Sequence, residues 1–241
     1  MNTPRILAVI PARWASTRFP GKPLADIDGQ PMVVRVWRRA MQVQGLAGVV
    51  VATDDARIEQ ACTQAGADVT LTRPDHPSGT DRLAEVTQTR PDIDWFINLQ
   101  GDEPLLDPEA VQMVVEAIAH EAPDSKRIFT LVTPLRSEDL YRPEVVKCVR
   151  SPRGQALYFS RSPVPYSPSN TPQEGMHWRH LGLYAFSRQT LLEVAALPPA
   201  PLEELEQLEQ LRWLSAGYEL TALLSPTAPG PAVDTPEDLA R

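Results

Sequence analysis

The chain predicts an α/β fold: a mixed, mostly parallel sheet flanked by helices. Short apolar runs alternate with helical patterns through the first half, and these runs are almost continuously apolar rather than alternating. Strands covered by helices on both faces read this way, because neither side of the sheet meets water. In such sheets ligands bind at the carboxyl ends of the strands.

The elements follow in order. Strand-like residues 6–10 precede a helical pattern at 32–43; 49–52 precede 56–65; 69–71 precede 81–89; and 95–99 precede 108–119. From residue 128 the reading becomes α+β, with strands at 128–132, 145–149, 156–159 and 181–186 broken by Pro-rich loops. Helical patterns at 188–196 and 202–216, a strand at 220–224 and a helix start at Asp234-Thr235-Pro236 complete the series. Residues 163–172, rich in Pro and Ser, read as a mobile loop beside the site or as a passive surface excursion.

At 241 residues, one domain is the simplest organisation, long enough to bury a core without disulfides or structural metal. The balance is acidic, 31 Asp plus Glu against 23 Lys plus Arg, so nonspecific binding to nucleic acid or anionic membrane has no electrostatic support. Cys62 and Cys148 lack metal-type spacing and read as inert core thiols of a reduced cytoplasm. With no signal-type segment and no apolar run of membrane-spanning length, a soluble, unprocessed cytoplasmic protein is expected.

The cations gather locally. Arg13, Arg18 and Lys22 follow the first strand in a loop shaped by Pro11, Pro20, Gly21 and Pro23. Guanidinium forks and an ammonium at a strand-to-loop transition suit a triphosphate, although a solvated basic loop has the same composition. Asp102, in Asn98-Leu99-Gln100-Gly101-Asp102-Glu103-Pro104, falls just past the strand at 95–99. The next helix has its own cap in Asp107, followed by Pro108, which leaves Asp102 spare. Thr235, Pro236 and Asp238 likewise form a capping pattern without Asp234. Each aspartate alone fits a structural turn; two spare carboxylates together suit Mg²⁺ whose remaining ligands are phosphate oxygens.

Other candidates are two-sided. Ser78 and Gly79 open a helix whose N–H groups suit a nucleoside or phosphate, yet Ser78 with Asp81 is also an ordinary capping box. Arg161 suits a carboxylate, and His180 and Tyr184 suit hydroxyls, while a structural histidine and a strand aromatic explain the latter two equally. Glu209 falls between Leu202 and Leu205 on a helical wheel, but Glu204 lies on the same arc, so periodicity does not single out Glu209 with Gln210.

Taken together, IPARWASTRFPGKPL, VVATDD, HPSGTDRLAEV, INLQGDEP, YFSRSPVPY, RHLGLYAF, LEQLEQLR and VDTPEDL, in this order, closely resemble the 3-deoxy-manno-octulosonate (Kdo) cytidylyltransferases. The resemblance implies a nucleotide-diphosphosugar-transferase, Rossmann-like fold. It also implies a homodimer that joins CTP to Kdo, giving CMP-Kdo for lipopolysaccharide and pyrophosphate. On matching positions, Arg13, Arg18 and Lys22 would hold the triphosphate, Ser78, Gly79 and Gln100 would line the cytidine site, and Asp102 with Asp234 would bind Mg²⁺. Arg161, His180, Tyr184, Glu209 and Gln210 would hold the sugar acid. Arg13, Lys22, Asp102 and Asp234 would form the catalytic set. Residues up to about 125 would be the nucleotide-binding half, and 126–241 the sugar-binding and dimerisation half. A related branch uses the 8-amino form of Kdo, and no residue here decides between the two sugars. The chain departs from the family in a shorter loop between Tyr166 and His180 and in ending soon after Asp234.

Two other classes lack their signatures. A nucleotide-sugar glycosyltransferase would carry Asp-x-Asp where this chain has Gly101-Asp102-Glu103, and a dinucleotide-dependent oxidoreductase would need Gly-x-Gly-x-x-Gly after the first strand. A noncatalytic nucleotide-binding protein would have no use for both spare aspartates.

Overall fold

The structure is a computed structural model that describes residues 3–15, 19–228, 230, 232–233 and 235–240. It divides into two compact units, one running to Pro123 and joined by the described residues of the C-terminal segment, the other Asp124–Ala228. The C-terminal segment, grouped above with the second half, therefore belongs with the first.

The first unit contains β1 (Ile6–Ala12), a hairpin of β2 (Asp26–Ile27) and β3 (Gln30–Pro31), α1 (Met32–Ala40), β4 (Leu46–Thr53), α2 (Ala56–Gln64), β5 (Asp68–Leu71), α3 (Gly79–Thr89), β6 (Trp95–Asn98) and α4 (Pro108–Ile118). Its sheet runs β6-β1-β4-β5, every neighbour parallel. Register pairs Val9 with Asn98, Ala12 with Thr53, and Thr53 with Leu71, so the carboxyl ends line one edge. The continuous apolar runs have the expected cause: Ala8, Val9 and Ile10 of β1 and Val50, Val51 and Ala52 of β4 are all fully buried. The small hairpin escaped the sequence reading, although Asp28-Gly29 between Ile27 and Gln30 is a two-residue hairpin turn, with Asp28 at φ 54°.

The second unit contains β7 (Ile128–Pro134), β8 (Lys147–Arg150), β9 (Ala156–Ser160), β10 (Trp178–Ser187), α5 (Arg188–Ala195), α6 (Pro201–Glu206), α7 (Gln210–Ser215) and β11 (Leu220–Leu224). Here β7 pairs parallel with β11 and antiparallel with β10, while β8 pairs antiparallel with both β10 and β9. Across both units the pairing is mixed, as predicted. Cys62 and Cys148 are buried free thiols, and desolvation raises their pKa values to about 11 and about 12, which keeps both protonated and unreactive.

One helix prediction fails. The periodic stretch 202–216 is two short helices, α6 and α7, interrupted at Gln207, whose backbone is left-handed at φ 54°. The break has a tertiary cause: Arg161 donates from Nε to the Glu206 carbonyl and from Nη2 to the Gln207 carbonyl. The Glu206 carboxylate meanwhile accepts from Ser160 Oγ and the Arg161 backbone N–H. The wheel that placed Glu209 among leucines thus has no continuous helix beneath it.

The Pro- and Ser-rich loop is internally tied. Ser167 Oγ bonds Ser169 Oγ and the Thr171 carbonyl, and the buried His177 ring accepts from the Gln173 N–H at Nδ1 and meets the Pro165 carbonyl at Nε2. These bonds order the segment in the structure.

Candidate active site

The parallel sheet of the first unit ends its strands on one edge, and the nucleotide-site candidates of that unit follow from those ends. Arg13 comes directly after β1, is exposed, and forms no ion pair among the described residues. Arg18 lies outside the described residues. Lys22 opens a short 3-10 turn, Lys22–Leu24, and its Nζ lies 2.7 Å from Asp102 Oδ2. Both side chains are only partly exposed, at 16% and 29%, so this pair is less screened than a surface ion pair and fixes the ammonium beside the carboxylate.

Asp102 reaches that position through a close approach of backbones. A Cβ at Gly101 would sit 2.8 Å from the Pro11 carbonyl oxygen, so only glycine lets the chain leaving β6 pass this near the end of β1. The C-terminal segment arrives at the same residue: the Val233 N–H donates to the Asp102 carbonyl at 2.9 Å. Asp234, the next residue, lies outside the described residues. Thr235 and Asp238 behave as read from sequence, the Asp238 carboxylate accepting from the Thr235 N–H at 2.9 Å and its hydroxyl at 3.1 Å. Asp107 likewise caps α4 by accepting from the Glu109 N–H. The α4 cap leaves Asp102 unused.

The loop carrying these cations is anchored by residues that sequence reasoning passed over. The Trp14 N–H faces Asp54 Oδ1 at 3.4 Å, Asp54 Oδ2 accepts from Arg82 Nη2 at 3.1 Å, and Arg82 Nη1 bonds Thr72 Oγ1. The Arg57 guanidinium lies 3.2 Å from the Trp14 ring centre, a cation–π contact. On the other side Gly21, at φ 73°, donates to the Trp14 carbonyl, and a Cβ there would strike the indole at 2.8 Å. The tandem acids of VVATDD were the available signal: Asp54 holds the loop, and Asp55 caps α2.

Ser78 caps α3: its Oγ accepts from the Asp81 N–H at 3.2 Å and donates to Asp81 Oδ2 at 2.6 Å. Gly79 is the first residue of that helix, packed beside Pro11 and Asn98. Gln100 follows β6, half-buried, between Asn98 and Asp102. Asn98 is 5% exposed, and its Oδ1 is buried without a hydrogen-bond partner.

The sugar-site candidates all fall in the second unit. The His180 and Tyr184 rings lie 5.4 Å apart between centres, tilted at 39°, with Phe159 edge-on to His180 and Trp213 edge-on to Tyr184. His180 retains some accessible surface as a residue, but enclosure of its ring pushes the pKa down to about 3, so it is neutral. Thr130 Oγ1 lies 2.9 Å from His180 Nε2 and 2.8 Å from the Leu183 carbonyl. A hydroxyl has one proton; given to Leu183, it requires His180 to carry its proton on Nε2, leaving Nδ1 an acceptor. Burial, and then the nearby Glu209 charge, raise the Tyr184 pKa well above the ordinary tyrosine value, so its hydroxyl is a neutral donor. Glu209 stands at the start of α7, and Gln210 is its first residue, buried.

Arg161 differs from expectation. Each guanidinium nitrogen donates to a main-chain carbonyl: Nε to Glu206, Nη1 to Pro143 and Nη2 to Gln207. The fork read as a carboxylate grip is engaged in holding the α6–α7 break, directly ahead of Glu209 and Gln210. Beside it, fully buried Lys147 donates from Nζ to the carbonyls of Arg142, Val145 and Arg161. Desolvation lowers its pKa. An ammonium buried in this way is retained because carbonyl oxygens replace its water.

With this geometry in place, comparison with known proteins gives a consistent result. A cytidylyltransferase family model matches residues 7–220. The chain is 51% identical to a 3-deoxy-manno-octulosonate cytidylyltransferase of Halorhodospira halophila, over 99% of this chain and 96% of that one. It is 47% identical to the enzyme of the same name from Myxococcus xanthus, over 100% and 96%. A solved structure of CMP:2-keto-3-deoxy-manno-octonic acid synthetase complexed with CTP superposes with a TM-score of 0.91 at 43% identity, covering 98% of this chain and 95% of that one. A 4-diphosphocytidyl-2C-methyl-D-erythritol synthase shares the fold at a TM-score of 0.65 and 14% identity, covering 100% and 97%.

Proposed function

Because the chain belongs to the 3-deoxy-manno-octulosonate cytidylyltransferase family, we propose that it joins CTP to Kdo and releases pyrophosphate, supplying CMP-Kdo for lipopolysaccharide. The observation in its own geometry that carries this reading is the Lys22–Asp102 pair at the carboxyl edge of the parallel sheet, where such folds bind ligands.

The 2-hydroxyl oxygen of Kdo attacks the α-phosphorus of CTP in line with the departing pyrophosphate, and no covalent enzyme intermediate is required. Lys22 and Arg13 neutralise charge that develops on the leaving group, with Arg18 assigned to the same triphosphate. Ser78, Gly79 and Gln100 receive the cytidine. Neutral His180, accepting at Nδ1, and the Tyr184 hydroxyl orient hydroxyls of the sugar, with Glu209 and Gln210 beside them. Arg161 supports that group by holding the turn from which Glu209 and Gln210 project.

A magnesium ion fits this donor set. Asp102 would supply one carboxylate oxygen, and the family resemblance assigns Asp234 as the second acidic ligand. Such an ion would neutralise phosphate charge and raise the acidity of the attacking hydroxyl.

The test is pyrophosphate release with CTP, Mg²⁺ and a panel of sugar acids that includes Kdo and its 8-amino form. Turnover with Kdo is expected. Its absence, with pyrophosphate released on another acid or on none, overturns the assignment. Cytoplasmic location and a homodimeric state belong to the same proposal.

A further inference from the structure

We propose that Lys147 is a positioning residue for the sugar acid: its buried ammonium pins the loop 142–146 to the end of β9 and so holds His180 and the Glu209–Gln210 pair in register with each other. This rests on the reading above that those residues receive Kdo.

Lys147 opens β8, paired with Ser160 of β9 and Arg179 of β10, and is fully buried. Its Nζ donates to three main-chain carbonyls, of Arg142 at 2.9 Å, Val145 at 2.8 Å and Arg161 at 2.5 Å. A neutral amine has two N–H donors and an ammonium three, so three converging carbonyls fit the charged form. Desolvation opposes that charge and lowers the pKa. A methionine would fill the same length without this cost, so packing does not explain a lysine here. What the ammonium adds is the means to draw together carbonyls from two stretches of chain, 142–145 and 161, whose oxygens repel one another.

The loop fixed in this way touches both parts of the sugar site. The Val146 carbonyl accepts from the His180 N–H at 2.8 Å, which sets the place of that residue on β10. The Pro143 carbonyl accepts from Arg161 Nη1 at 3.0 Å, one arm of the guanidinium whose other nitrogens hold the Glu206 and Gln207 carbonyls. Gln207 is where the backbone turns left-handed, and Glu209 and Gln210 follow at once. Lys147 therefore stands where two paths cross, one backbone bond to His180 and one guanidinium to the turn before Glu209. Without the ammonium the loop loses its tie to the Arg161 carbonyl, and the spacing between the two groups is no longer fixed. The described residues assigned to CTP belong to the first unit, so the loss should fall on the sugar acid.

The experiment uses the intact enzyme with CTP, Mg²⁺ and Kdo. In Lys147→Met, assayed well below its recorded melting temperature, KM for Kdo should rise at least about tenfold, kcat should fall less than about threefold, and the CTP Kd from calorimetry should stay within about twofold. An unchanged KM for Kdo, or equal losses for both substrates, overturns the proposal. Combined with Arg161→Lys, the KM for Kdo should stay within about twofold of the more impaired single variant, because both residues act on one frame; multiplied effects overturn it. A measurement on the unaltered protein covers the case in which the variant does not fold. Hydrogen exchange is followed with Mg²⁺ and a nonhydrolysable CTP analogue, with and without Kdo. Kdo should slow exchange of the His180 amide and of peptides covering 142–147 at least about threefold beyond the analogue alone. Unaltered exchange there overturns the proposal. If the unaltered protein does not turn over Kdo, the functional assignment itself fails, a result distinct from each of these.

Discussion

At the scale of single residues, the site depends on groups held in a fixed charge state. Asp102 keeps its carboxylate 2.7 Å from the Lys22 ammonium. Asp102→Asn preserves shape and removes the charge, so turnover should fall on the order of a hundredfold or more, with a smaller loss in CTP affinity. Single-turnover pyrophosphate release beside equilibrium CTP binding checks it; near-normal turnover would remove Asp102 from the chemistry. His180 makes a pH prediction. Its pKa is near 6.5 in the unfolded chain and about 3 when folded. Below the higher value the unfolded state binds the proton and the folded state does not. Stability is therefore full above about pH 6.5 and declines as pH falls toward 3, by at most about 1.4 kcal/mol per pH unit from this group. Urea midpoints across that range should show a shallower decline in His180→Gln. An identical slope would mean the ring is solvated.

At the scale of elements, positions are set by pieces of chain meeting across long separations. Gly101 lets the chain after β6 cross the end of β1, and Gly101→Ala brings a methyl group to 2.8 Å from the Pro11 carbonyl. The displacement should cost about 1–3 kcal/mol and weaken CTP binding, read by urea denaturation and calorimetry. The break between α6 and α7 is held by Arg161 through the Glu206 and Gln207 carbonyls. A lysine cannot span those acceptors together with Pro143, because a single ammonium replaces a planar fork. Arg161→Lys should raise the Michaelis constant for Kdo several-fold while that for CTP stays near normal. Equal effects on both substrates would show that the turn does not serve the sugar side. The sequence could not reveal this break, because residues 202–216 carry helical periodicity throughout and the interrupting bonds come from a residue over forty positions earlier.

At the scale of the whole molecule, the proposed homodimer predicts a sedimentation mass near twice 26.7 kDa, and a concentration-independent monomer would overturn it. Removing divalent metal with EDTA should abolish pyrophosphate release, and added Mg²⁺ should restore it. Much of the molecule was legible without coordinates. Continuous apolar runs reveal burial on both faces, caps such as Asp107 and Ser78 declare themselves by local bonds, and the ordered motifs identify the family. These features depend on neighbours in sequence, so the sequence alone determines them. What tertiary structure decided is which distant groups meet: Lys22 with Asp102, Trp14 with Asp54 and Arg82, and Arg161 with the turn at Gln207. It also left some buried polar atoms without a hydrogen-bond partner among the described residues, the Asn98 Oδ1 among them. No local pattern encodes these pairings, because each is settled by where the backbone brings residues together and how much water they lose there.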